Sequence, residues 1–124
     1  MVEQQYIDYW RNQQAKQDAQ CEAWALGAWQ VAREVALRLK QSFGVTEVIV
    51  FGSLAKGQFG EDSDIDLAIA GLKTADFFTA LALANTNSRW WIDLKPMEAL
   101  EPRFRDRVLS TGIAIELEQP HESM

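Results

Sequence analysis

Hydrophobic positions recur along this chain in three rhythms, and each rhythm predicts a different element. From about Tyr6 to Ser42 the residues Trp24, Ala28, Val31, Val35 and Leu39 return at helical spacing. Proline is absent there and Gly27 is the one internal glycine, so a long N-terminal helix is expected, stopped near Gly44. Its early portion, Arg11 to Gln20, is nearly all Gln, Lys, Asp and Ala and has little to pack on a core. At about 1.5 Å per residue such a helix outreaches a small domain, so part of it is expected to project or bend. Val48-Ile49-Val50-Phe51, by contrast, is apolar without alternation and β-branched, as in a strand covered on both faces. The third rhythm has period two: Ile65, Leu67 and Ile69, then Ile92 and Leu94, alternate with residues of other character, which predicts two strands with one face each in the core.

The segments between complete the outline. Thr74 to Ala84 fits a helix with Thr74 or Asp76 near its start, closed by Asn85-Thr86-Asn87-Ser88. Pro96 ends the Asp93 strand, Glu98 to Leu109 gives another helix capped by Gly112, and Ile113 to Leu117 forms a last strand. Helices interrupting short strands predict an α/β (α+β) fold, a small mixed β-sheet flanked by helices and preceded by the long N-terminal helix. The expected division is a helical extension over 1–43, one domain over 44–117 and a disordered polar tail over 118–124.

The chemistry is concentrated between Val48 and Gly71. The first strand runs into Gly52-Ser53, where a glycine lets a ligand approach the backbone and the serine offers a hydroxyl and a peptide N–H at the start of a short helix, Leu54 to Lys56. Such a turn can hold phosphate oxygens. Ten residues separate Ser53 from Asp64, with enough turn chemistry in Gly57 to Ser63 to bring the chain back as a neighbouring strand. On it Asp64 and Asp66 share a face, and the following Ala68 and Ala70 are expected to leave that face open for a ligand. Two carboxylates this close repel unless a cation lies between them, and hard oxygen ligands suit Mg²⁺. Two-ion phosphoryl chemistry, with ions roughly 3.5–4 Å apart, calls for a third carboxylate. Asp93 is the candidate, because Ile92 and Leu94 take the core face and leave Asp93, Trp91 and Lys95 on the other. Trp91 is placed to stack on a base or simply to pack, and Lys95 to contact a phosphate or pair with an acid.

Other chemistries lack their residues. Asp62, Asp64 and Asp66 mimic the start of an EF-hand loop, but Leu67 stands where glycine is needed and Lys73 where a glutamate is needed. Neither a Walker A pattern nor G-x-G-x-x-G occurs. Cys21 is the only cysteine and His121 the only histidine, which excludes disulfides, zinc sites and Ser-His or Cys-His nucleophiles. The net charge of −6 argues against tight, sequence-independent nucleic-acid binding. The basic row Arg103, Arg105, Arg107 reads better as a solvated helix face. The polar start Met1-Val2-Glu3-Gln4-Gln5 and the lack of a hydrophobic run of spanning length predict a cytoplasmic protein outside the membrane. Tyr6, Tyr9 and Trp10 form an aromatic patch ahead of the polar stretch, either an anchor for another chain or a contact with its own domain.

Gly52-Ser53, ten residues, Asp64-x-Asp66 and then Asp93 on a later strand resembles the minimal nucleotidyltransferase proteins of the DNA polymerase β superfamily. The resemblance spans Gly44 to about Leu117 and makes 44–117 a nucleotidyltransferase domain. It implies that Gly52, Ser53 and Lys56 contact the nucleotide phosphates, that Asp64, Asp66 and Asp93 bind metal, two Mg²⁺ ions with ATP as substrate, and that Asp93 also helps deprotonate the attacking hydroxyl. It further implies an antitoxin able to form a hetero-oligomer with its partner, a HEPN-family ribonuclease toxin, with AMP transferred to a tyrosine of that partner. Two other readings stay open: a non-catalytic protein that neutralises its toxin by contact, and a nucleotidyltransferase acting on a small-molecule acceptor.

Overall fold

The computed structural model of the chain describes residues 2–117, apart from the side chains of Val2, Glu3, Tyr6, Gln17 and Asp18. The tail 118–124, with His121, lies outside the described residues, as does the side chain of Tyr6 in the aromatic patch. Helix α1 (Val2–Phe43) runs without interruption for 42 residues, so the chain projects rather than bends. It stops at Gly44, whose φ of 71° is the left-handed conformation a side chain disfavours and whose N–H reaches the Lys40 carbonyl at 2.9 Å. Strand β1 (Glu47–Phe51) passes into the one-turn helix α2 (Gly52–Ala55), and the chain returns as β2 (Ile65–Ala70). A 3₁₀ turn (Thr74–Asp76) leads into α3 (Phe77–Asn85), then come β3 (Ile92–Pro96), a second 3₁₀ turn (Met97–Ala99), α4 (Pro102–Thr111) and β4 (Ile113–Ile115). No described helix is long and apolar enough to cross a membrane.

The four strands lie in the order β3-β2-β1-β4, with β2 antiparallel to β1, β1 antiparallel to β4, and β3 parallel to β2. The sheet is mixed, as the sequence predicts. The period-two residues Ile65, Leu67, Ile69, Ile92 and Leu94, with Val48 and Val50, turn to one face. There they meet Ala28, Ala32, Val35, Ala36 and Leu39 of α1 and Ala80 and Ala84 of α3 in one continuous core. The second half of α1 is therefore packed on the sheet. Along 4–20, by contrast, every described side chain except Gln13 is exposed.

The opposite face carries Ile49 and Ala68 under Met97 and Val108, with Phe51 edge-on to Phe104 of α4 at 5.7 Å. This corrects one expectation. Ala68 does not open the carboxylate face to a ligand, because it is fully buried; its small size lets the Met97 turn and α4 close over that half of the sheet. Gly112 caps α4 as expected, its N–H on the Val108 carbonyl at 2.8 Å, with an ordinary φ of −77°. A methyl there would run into Ile49 Cγ2 and the Val108 carbonyl, so glycine is needed for close approach.

The loop 57–64 is tied down by an aromatic that the turn-rich composition conceals. Phe59 is 1% exposed and stands edge-on to the buried Trp90, ring centroids 5.4 Å apart. Phe59→Ala is expected to cost about 3–5 kcal/mol, read as a lower urea midpoint with an unchanged slope.

Candidate active site

The site is assembled by strand register. In the parallel pair β2–β3, Asp66 lies opposite Asp93, with Ile65 opposite Ile92 and Leu67 opposite Leu94, so the alternation that buries the aliphatic residues on one face turns both acids to the other. Adjacent strands sit about 4.8 Å apart, which leaves two carboxylates side by side. Asp64 precedes β2 by one residue, exposed, and close enough for its charge to act on Asp66. The three predicted acids are thus brought into one neighbourhood.

Gly52 and Ser53 reach the same place from β1, whose Phe51 is paired with Asp66. Gly52 has φ 72°, and a methyl built on it would overlap the Asp66 carboxylate at Oδ2. The bare Cα is the space that the carboxylate occupies. Ser53 is half-buried in the first turn of α2, where peptide N–H groups have no intrahelical acceptor. Lys56 is exposed at the far end of that turn, its N–H on the Gly52 carbonyl at 3.1 Å.

Electrostatics single out Asp66. Burial against the Gly52 turn pushes its carboxyl up from 3.8 to about 6, and the neighbouring Asp93 and Asp64 push in the same direction. Lys95 opposes them: its Nζ is 3.4 Å from Asp93 Oδ2, a pair with both side chains more than a third exposed. That ammonium lies beside Asp93 and acts on Asp66, and a hard oxygen donor set with surplus negative charge suits a divalent cation. Among the described residues no three such groups are drawn in tightly enough to form a closed metal cage. The set is open, with room for oxygens from elsewhere.

Two supports are not visible as motifs. Asn85 is spaced like a helix terminator, but its side chain reads the edge of β3: Ile92 N–H donates to Asn85 Oδ1 at 2.8 Å, and Asn85 Nδ2 donates to the Ile92 carbonyl at 3.0 Å. This fixes the residue before Asp93. On the Asp64 side, Ser63 Oγ accepts from Gly60 N–H at 2.9 Å and Ile65 N–H donates to the Trp91 carbonyl at 2.9 Å. Trp91 itself is 52% exposed beside Asp93, while Arg103, Arg105 and Arg107 lie exposed on α4.

A mixed sheet bearing a Gly-Ser turn and three convergent aspartates defines the class as a nucleotidyltransferase-type domain. Comparison with known proteins agrees: residues 34–120 match the family described as Polymerase beta, Nucleotidyltransferase, and the chain belongs to that family. It is similar to the solved structure of a protein assigned as a minimal nucleotidyltransferase, with 33% identity and a TM-score of 0.54 over 71% of this chain and 93% of that one. No curated protein matches the chain by sequence.

Two outcomes test this geometry. Gly52→Ala combines a left-handed backbone with an overlap on Asp66, and is expected to cost about 1–3 kcal/mol and to shift the Asp66 carboxyl resonance in NMR. Because folding raises the Asp66 pKa, its contribution to stability is fully present below about 4 and is lost as pH rises through about 6. With its partial exposure discounted, Asp66→Asn is expected to stabilise the metal-free chain at pH 8 by on the order of 1 kcal/mol and to leave it unchanged at pH 3, read by urea titrations at both values.

Proposed function

We propose that the chain is a Mg²⁺-dependent nucleotidyltransferase that moves AMP from ATP to a hydroxyl of a protein partner. The acceptor that fits the minimal members of the family is a tyrosine of a HEPN-family ribonuclease, whose modification would make this chain its antitoxin. The observation that carries the reading is the direct pairing of Asp66 with Asp93 beside the Gly52 turn.

The residues divide the work. Asp64, Asp66 and Asp93 are the groups that would hold the cation, and the Asp66 carboxyl, raised by burial and then by its two acidic neighbours, would gain from one. Bound Mg²⁺ supplies charge neutralisation for the triphosphate and polarises the phosphorus under attack. Ser53, with the first N–H groups of α2, and Lys56 line up phosphate oxygens from the β1 side. Asp93, on the outer strand of the three that meet here, orients the acceptor hydroxyl and takes its proton. The acceptor oxygen forms a bond to the α-phosphorus, the bond to the β-phosphate oxygen breaks, and pyrophosphate leaves in line. Trp91, exposed on the same edge, is available to a base or to the partner.

The test is incubation with ATP, Mg²⁺ and the product of the adjacent gene, followed by intact-mass measurement. A gain of one AMP on the partner is expected, mapped to a tyrosine, with Asp66→Asn or Asp93→Asn lowering the rate by at least about 10²-fold. Neutralisation of the partner that survives Asp64→Ala with Asp66→Ala would mean that the chain acts by contact. Labelling of a small acceptor with an unmodified partner would move the assignment to small-molecule chemistry.

A further inference from the structure

Strand β3 is the outer strand of the sheet, with β2 on one side and no strand beyond it among the described residues. Backbone groups on a free edge are ordinarily left to water or to a further strand. At Ile92 a side chain takes that place. Ile92 N–H donates to Asn85 Oδ1 at 2.8 Å, Asn85 Nδ2 donates to the Ile92 carbonyl at 3.0 Å, and the same Nδ2 donates to the Leu81 carbonyl of α3 at 3.1 Å. We infer that Asn85 is a positioning residue for Asp93: its carboxamide stands in for the strand that β3 lacks and holds the peptide from which the Asp93 carboxylate is aimed. The inference rests on the cation-holding role proposed for Asp93.

The peptide plane carries the effect. The Ile92 carbonyl and the Asp93 N–H belong to one planar unit, so fixing the carbonyl fixes the backbone direction from which the Asp93 side chain departs. Burial of the Ile92 and Leu94 side chains decides which face of the sheet Asp93 joins, but not how far the outer strand tilts away from β2. A force for such a tilt is present, because Asp93 lies directly opposite Asp66 and the two carboxylates repel. The Asp93 side chain has little of its own to resist it, since its ion pair with Lys95, at 3.4 Å, is exposed and weak. The Asn85 amide instead ties the strand to the end of α3, whose Ala80 and Ala84 are buried in the core. Only a group with donor and acceptor side by side serves a residue whose N–H and C=O leave the strand on one edge, and asparagine is the shorter of the two side chains that offer both.

The full chain is compared with Asn85→Ala, Asn85→Gln and, as a control for stability alone, Val35→Ala in the helix–sheet core, each well below its melting temperature. Without metal, Asn85→Ala is expected to speed amide exchange at Ile92 by about tenfold or more beyond any change at Val50 and Leu67 in the central strands. Titration with Mg²⁺, followed by the amide resonances of Asp66 and Asp93, is expected to show half-saturation raised by about tenfold in Asn85→Ala. Asn85→Gln, which keeps the amide one methylene further out, is expected to fold and to lie between that variant and the parent. Val35→Ala is expected to lower the melt and to leave Mg²⁺ binding where it was. In the transfer assay the loss is expected in kcat, with KM for ATP within about twofold of the parent. Mg²⁺ binding unmoved in both Asn85 variants, or moved as far by Val35→Ala, would overturn the proposal. A parent chain that binds no Mg²⁺ would strike out the cation site and this inference with it, a failure told apart because it precedes any substitution.

Discussion

The registration of β2 on β3 is the constraint on which the site depends. Parallel pairing puts Asp66 against Asp93 and, on the reverse face, Ile65 against Ile92 and Leu67 against Leu94. The two sets cannot be adjusted separately. A slip of one residue would turn the aliphatic set out of the helical layer and carry the acids into it, at a cost of many buried side chains. The core thus enforces a juxtaposition of like charges that the carboxylates would not choose.

That enforcement has an electrostatic consequence. A carboxyl held at about 6 is a group the fold partly works against, and the surrounding packing supplies the stability that the site gives up. Gly52 leaves the room, Phe51 and Phe104 wall one side, and Asn85 locks the strand edge beside Asp93. Lys95, on the carboxylate face two residues along β3, offsets part of the charge. An exposed pair of that kind is worth little, so the surplus remains available to a cation and its phosphate ligands.

What was legible in the sequence was whatever follows from period. Alternation assigned the faces of β2 and β3 and hence the common side of Asp66 and Asp93, while helical spacing found α1 and Gly44 marked its end. Contacts between residues distant in sequence were not legible. Ala68 reads as open space until Met97 and Val108 are seen above it, and Phe59 reads as part of a solvated turn until Trp90 is found behind it. Asn85 has the chemistry of a helix end in either role, and only the fold shows its amide pairing with Ile92. Gly112 is legible as the end of α4, but the close approach of Ile49 and the Val108 carbonyl that requires a glycine there is not.

The two halves of α1 obey different physics although no break separates them. From Ala28 onward small and β-branched residues meet the sheet, and the family match begins within this half, at residue 34. Before it the same helical phase continues, but glutamines replace the aliphatic residues, and the body no longer lies beneath them. A rigid helix anchored along half its length transmits the orientation of the body to whatever its other half holds. Insertion of one residue between the halves would rotate the projecting half relative to the body by about 100° while leaving each half helical. Continuity of phase across the boundary therefore carries information that neither half contains alone: the surface presented by the projecting segment is set by the same stripe that buries Ala28, Ala32 and Val35.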